Sequence, residues 1–161
     1  MIFIALGANL PGPWGPPRAT LDEAVRRLEI AHVKVLARSR YWRTAPQPPS
    51  GQPWYWNAVV KADSALSPAN LLAVLHEIEA QLGRERSVAN AARAIDLDLL
   101  DHRGAVIDAP ELLLPHPRLA ERAFVLLPLA EVAPAWRHPI SGRPVAELIA
   151  ALPPGQEAEP V

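Results

Sequence analysis

The chain has 161 residues, 50% of them hydrophobic, with 16 basic side chains against 17 acidic ones and a net charge of −1. That balance excludes a disordered polymer and gives no global pull toward nucleic acid or an anionic membrane, so recognition of any anion must come from local clusters. No cysteine is present, which rules out disulfides, thiolate metal sites and thiol nucleophiles and fits a reducing compartment.

Residues 2 to 8, "IFIALGA", form an apolar, β-rich run that predicts a first strand. This start carries no basic leader and is too short to span a membrane, which points to a cytoplasmic protein. "LPGPWGPP" then breaks regular structure. From about Arg18, the spacing of Leu21, Val25 and Leu28 predicts a helix. "HVKVLARSRYWRT" reads as one strand with Val33 and Val35 on one side, "APQPPSGQP" as a long loop, and "WYWNAVVKAD" as a further strand. Ser67 followed by Pro68 is an N-cap and first-turn signal. It opens a helix whose buried stripe is Leu71, Leu75, Ile78 and Leu82, with Gly83 as the stop.

"RERSVANAA" is a third loop, leading into a strand at "AIDLDLL". Past Gly104 the pattern predicts a short extended stretch, a turn at "LPHPR", a short helix at 118–123 and a last helix near 144–151. A single domain over 1–153 and a flexible tail over 154–161 follow. The order β-α-β-β-α-β predicts an α+β fold with a ferredoxin-like core: a mainly antiparallel sheet, helices packed on one face, and a C-terminal extension. Many chemistries share that architecture, so function must be read from side chains.

Asp96 and Asp98 stand out, because aspartate is depleted in strands and an ionised carboxylate is costly to bury alone. Two apart on a strand, they point the same way, while Ile95, Leu97 and Leu99 take the other face. Paired carboxylates favour a cation, and a hard divalent ion such as Mg²⁺ takes carboxylate, water and phosphate oxygens. A solvated acidic edge is the simpler alternative. Against it, Arg84, Arg86 and Arg93 precede the strand, and "LPHPRLAER" adds His116, Arg118 and Arg122. Carboxylates beside arginines are what a metal-bound polyphosphate needs, although structural ion pairs look the same in sequence. In "QPWYWNAVV", Tyr55 and Asn57 share a face opposite Trp54 and Trp56, and an aromatic beside an amide suits a flat heterocycle that periodicity does not identify.

"ARAIDLDLL" resembles the signature segment of the 6-hydroxymethyl-7,8-dihydropterin pyrophosphokinase family. "ALGANL", "YWRTAP", "QPWYWNAVV", "IEAQLGRER" and "LPHPRLAERAFVLLPLAE" resemble further family segments, in family order and at similar spacing. The resemblance implies transfer of pyrophosphate from ATP to 6-hydroxymethyl-7,8-dihydropterin, with release of AMP, on the route to folate. It also implies two Mg²⁺ ions on Asp96 and Asp98, and catalytic roles for Arg84 and Arg93 beside them. The ATP site would draw on His76, Glu79, Arg84, Arg86, Arg93, His116, Arg118 and Arg122. The pterin site would draw on Thr44, Ala45, Gln47, Tyr55, Asn57 and Phe124.

The sequence departs from the family pattern at "SVANAAR", which lacks the Trp many members carry, and at Pro110 and Glu111, where some place a basic residue. The expected partners are small molecules, with no nucleic acid or membrane and a monomeric chain. A Mg²⁺-dependent nucleotidyltransferase or cyclase on a ferredoxin-like core is the alternative enzyme. An RNA-binding module of the same topology is the non-enzymatic one, disfavoured by the near-neutral charge and the acidic pair.

Overall fold

In a computed structural model, which describes residues 1–46, 48–83 and 95–161, the first strand, β1 (Ile2–Ala8), is buried along its whole length. It lies between β4 (Tyr55–Asp63) and β5 (Asp96–His102) and is antiparallel to both. A strand flanked on both edges and covered on both faces reads as a continuous apolar run, which is why "IFIALGA" lacks the alternation of a half-exposed strand.

The stretch expected as one strand over 32–44 is two, β2 (Lys34–Arg38) and β3 (Trp42–Thr44). Both pair antiparallel with β4, at successive halves of its edge. Ser39 makes the break. Its N–H donates to the Val59 carbonyl at 2.9 Å, and its hydroxyl accepts from Val59 N at 3.0 Å and donates to the Arg40 carbonyl at 2.8 Å. A side chain thus stands in for one rung of the ladder, satisfying the Val59 amide while the backbone turns.

One face of the sheet carries α1 (Pro17–Ile30) and α2 (Pro68–Gln81). Pro17 and Pro68 sit at the helix starts, where the missing N–H costs nothing, and the Ser67 hydroxyl accepts from Asn70 N at 3.2 Å. Leu21 and Leu28 of α1 and Leu71, Leu75 and Ile78 of α2 pack on Ile2, Ile4 and Leu6 of β1, Val60 of β4 and Leu97 and Leu99 of β5.

Helices also cover the opposite face, which corrects the one-sided arrangement expected from the element order. There α3 (Ala123–Val132) and α4 (Val145–Ala150) bring Val125, Leu126, Leu129, Val145 and Leu148 against Phe3, Ala5, Val59 and Leu100. The short helix expected over 118–123 is only a 3₁₀ turn, Leu119–Glu121, and α3 follows it. Pro128 inside α3 reads in sequence as a breaker, because it removes one i→i−4 bond. The segment "AFVLLPLAEV" is also apolar on nearly all sides, so it lacks the 3.6-residue stripe of an amphipathic helix.

Beyond β5, a separate hairpin of β6 (Ile107–Ala109) and β7 (Leu112–Leu114) forms from the expected extended stretch. The segment expected to fray is instead drawn into the main sheet, where β8 (Ala158–Pro160) pairs with β3. The sheet order is β5-β1-β4-β3-β8, with β2 also on β4. Among the described residues, no helix is long and apolar enough to cross a membrane.

Candidate active site

The α3 face of the sheet is filled by side chains at one end only. Register explains the opening at the other. On β1, Gly7 stands between Asn57 of β4 and Asp96 of β5, and Ala5 stands between Val59 and Asp98. With no side chain at Gly7 and a single methyl at Ala5, the floor between the flanking strands is low. A cleft of about 680 Å³, its open mouth included, lies above it. Thr44, Ala45, Pro46, Pro48, Gln52 and Tyr55 form one side and Asp96, Asp98, Arg122 and Phe124 the other.

Each polar group at the cleft is held by a neighbour. Thr44 Oγ1 donates to Asn57 Oδ1 at 2.5 Å, which fixes the amide with Nδ2 over Gly7. A Cβ at residue 7 would lie 2.8 Å from that nitrogen, so any larger residue there would have to displace the amide. Buried Asn9, at the end of β1, donates through Nδ2 to Gln52 Oε1 at 3.0 Å and to the Pro53 carbonyl at 3.1 Å. The Tyr55 hydroxyl donates to the same Gln52 oxygen at 3.4 Å. Arg122 carries its guanidinium over the Phe124 ring, 5.2 Å from the centroid, a favourable cation–π contact.

Asp96 and Asp98 open side by side into the cleft, as their spacing predicts. Burial pushes the Asp98 carboxyl up to about 8, and the neighbouring charge of Asp96 adds to the shift, with Glu79 contributing and Arg122 opposing. A carboxyl raised in this way beside a second acidic side chain is short of positive charge. Among the described residues, no cluster of three or more His, Cys, Asp or Glu is arranged to hold a metal ion. An all-oxygen pair with room beside it fits a hard divalent ion that fills its other positions with water or phosphate oxygens, and fits zinc-type chemistry poorly.

The basic side of the cleft comes from the segment between β7 and α3. Burial, then the adjacent Arg122 charge, holds the His116 imidazole down at about 4, so it is neutral at pH 7. Its Nδ1 accepts the Arg118 N–H at 3.3 Å, which leaves the ring proton on Nε2. Burial also lowers the Arg122 guanidinium, with the Asp98 charge acting against that, and an arginine stays cationic throughout.

Thr44, Ala45, Tyr55, Asn57, Phe124, Asp96, Asp98 and Arg122 therefore meet at one cleft. His116 lies near enough to feel Asp96 and Arg122, and Arg118 contributes charge beside it. Two expected nucleotide contacts are not brought to the lining. His76 is exposed on α2, the helix of the opposite face. Glu79 is buried there, and its carboxylate accepts the Leu97 N–H at 2.8 Å, pinning β5 from below. Gln47, Arg84, Arg86 and Arg93 lie outside the described residues. Ala5, Gly7 and Gln52 also line the cleft and were not among the expected site residues. A small-residue alternation, Ala5 and Gly7 against Ile4 and Leu6, was the available signal for the first two.

Comparison with known proteins gives a consistent picture. Residues 3–134 match the family model described as 7,8-dihydro-6-hydroxymethylpterin-pyrophosphokinase. A 2-amino-4-hydroxy-6-hydroxymethyldihydropteridine pyrophosphokinase of Methylorubrum extorquens is 42% identical over 153 residues, covering 94% of this chain and 93% of the relative. Its counterpart in Pseudomonas aeruginosa is 38% identical over 152 residues, covering 94% and 91%. Among solved structures, the wild-type Plasmodium falciparum HPPK-DHPS with pteroate aligns at a TM-score of 0.74 and 13% identity. The alignment covers 93% of this chain and 44% of that one, so it speaks for the fold alone.

Proposed function

The chain belongs to the 7,8-dihydro-6-hydroxymethylpterin-pyrophosphokinase family, and from that premise we propose how its cleft performs the family's reaction. The reaction transfers pyrophosphate from ATP to the hydroxymethyl oxygen of 6-hydroxymethyl-7,8-dihydropterin in folate synthesis and releases AMP.

The observation that carries the residue assignment is the shared cleft: an acidic pair, a cationic rim and an aromatic–amide pocket open into one space. Tyr55 and Phe124 take the flat ring between them, and Asn57 reads its edge with an amide already oriented by Thr44. Thr44, Ala45 and Gln47 close that side. Asp96 and Asp98 would hold the divalent cations, two Mg²⁺ in this reading, on the side of the cleft where the ATP phosphates would lie. Bound there, magnesium neutralises phosphate oxygens and lowers the pKa of an alcohol it touches.

Phosphoryl chemistry of this kind asks mainly for positioning and charge neutralisation. Arg122 and Arg118 supply cations, and His116 donates a neutral hydrogen bond from Nε2. Arg84, Arg86 and Arg93 belong to the reading as phosphate contacts on resemblance alone. Glu79 acts at one remove, through the β5 backbone that carries both aspartates. No side chain is assigned as a base in this reading, since magnesium held by Asp96 and Asp98 would supply the activation of the alcohol. The reading also takes the chain as a monomer, which sedimentation at micromolar concentration checks.

Calorimetric titration with Mg²⁺, a non-hydrolysable ATP analogue and then the pterin tests the assignment. Pterin should bind once nucleotide is present, and substrates should give AMP in proportion to pterin. A cleft that binds nucleotide yet never takes up pterin would instead favour a nucleotidyltransferase.

A further inference from the structure

Two walls of the cleft come from distant parts of the chain: Thr44 and Ala45 at the end of β3, and Arg122 and Phe124 where α3 begins. The start of α3 has no cap of its own, since Arg122 occupies the N-cap position and its side chain makes no capping bond. A helix start leaves its first N–H groups without intrahelical partners. The Ala123 N–H is met from outside, by Oε1 of Gln156 at 2.9 Å, and Nε2 of the same amide donates to the Glu121 carbonyl at 2.8 Å. Those two backbone groups lie immediately before and after Arg122.

The neighbouring residues of this segment grip the other wall. The Glu157 carbonyl accepts from Ala45 N at 3.0 Å, and β8 places Ala158 opposite Thr44 and Glu159 opposite Arg43. Val161 N then donates to the Tyr41 carbonyl at 2.8 Å. One short segment therefore holds both walls, through ladder bonds on one side and a single bidentate amide on the other. Only an amide suits the latter position, since it offers one acceptor and one donor together; a carboxylate meets Ala123 alone, and an alkyl group meets neither.

We propose that Gln156 is a positioning residue for the pterin half of the cleft: it fixes the backbone on both sides of Arg122 and, with β8, sets the spacing between the Thr44–Ala45 wall and the Arg122–Phe124 wall. The inference rests on the functional reading above for the identity of the ligand. It does not rest on that reading for the geometry.

Steady-state AMP release by the full chain and by Gln156→Ala and Gln156→Glu tests it, with pterin varied at saturating Mg-ATP and ATP varied at saturating pterin. Gln156→Ala should raise the pterin KM roughly tenfold, the effect of losing a cap and a bidentate bond, and the ATP KM by a distinctly smaller factor through Arg122. Gln156→Glu, which keeps the acceptor for Ala123, should fall between Gln156→Ala and the parent. An unchanged pterin KM in Gln156→Ala, or a drop in Tm with both KM values moving together, would overturn the role and leave Gln156 a stability residue only. If Gln156→Ala does not fold, Gln156→Glu decides: a pterin KM equal to that of the parent chain overturns the proposal. A parent chain that forms no AMP in response to pterin sinks the functional reading, and the inference with it, by a different signal.

Discussion

On the α1–α2 side of the sheet, β1 presents Ile2, Ile4 and Leu6 to an apolar core; on the α3 side the same strand presents Phe3, Ala5 and Gly7. The first series keeps its bulk to the end, and the face is closed. The second shrinks from phenylalanine to methyl to hydrogen, and the face opens over its last rungs. The cleft proposed as the active site thus occupies the half-strand where side-chain volume is withheld. The carboxylates and the amide that border the gap sit on the neighbouring strands at the same register. Stability and chemistry are separated by the pleat, with α1 and α2 serving one and the start of α3 serving the other.

If that division holds, Asp98→Ala should remove turnover by at least about a thousandfold, the scale set by losing a site's main charge stabiliser. The fold should survive, as AMP release set beside a thermal melt would reveal; near-parental turnover would break the contrast. The same carboxyl gives a pH signature. Its folded pKa is raised above the unfolded value, so the metal-free protein holds this proton when the unfolded chain has lost it. Stability should therefore fall as pH rises from about 4 toward 8. Asp98→Asn should flatten that slope, and Mg²⁺ added at pH 8 should recover stability in the parent but not in the variant.

The closed face should answer in the opposite way. Leu75→Ala, a fully buried position on α2, should cost about 2–5 kcal/mol in denaturant unfolding. Turnover per folded molecule should stay the same. Gly7→Ala lies on the boundary between the two regimes. The added methyl would crowd Asn57 Nδ2, so stability should drop by roughly 1–3 kcal/mol and pterin affinity should fall more than ATP affinity. The smallest effect belongs to Ser67→Ala, which removes the α2 cap at a cost of about 1 kcal/mol. An effect of that substitution on turnover would mean the two faces are coupled.

Much of this was legible along the chain. Period-two spacing put Asp96 and Asp98 on one face, and Ser67-Pro68 with the Leu71, Leu75, Ile78 and Leu82 stripe marked α2, because these signals are local. The resemblance to family segments named the pocket residues Tyr55, Asn57 and Phe124 before any packing was known. What failed did so for identifiable reasons. Pro128 and an all-apolar composition hid α3, and the polar, proline-rich end of the chain gave no sign of β8. His76 and Glu79 entered as nucleotide contacts through the family resemblance, a role that local spacing does not address. The fold puts α2 under the sheet, where Glu79 holds the Leu97 amide.

The sequence by itself determined the β-α-β-β-α-β order of the core, the shared direction of the two aspartates and the absence of thiol chemistry, since each depends on residue type and short-range spacing alone. Only the tertiary structure decided that Gly7 lies between Asn57 and Asp96, that helices pack on both faces, and that Gln156 reaches the start of α3. Those outcomes depend on which strands become neighbours and in what register, and that is fixed by burial summed over the whole domain rather than by any one segment.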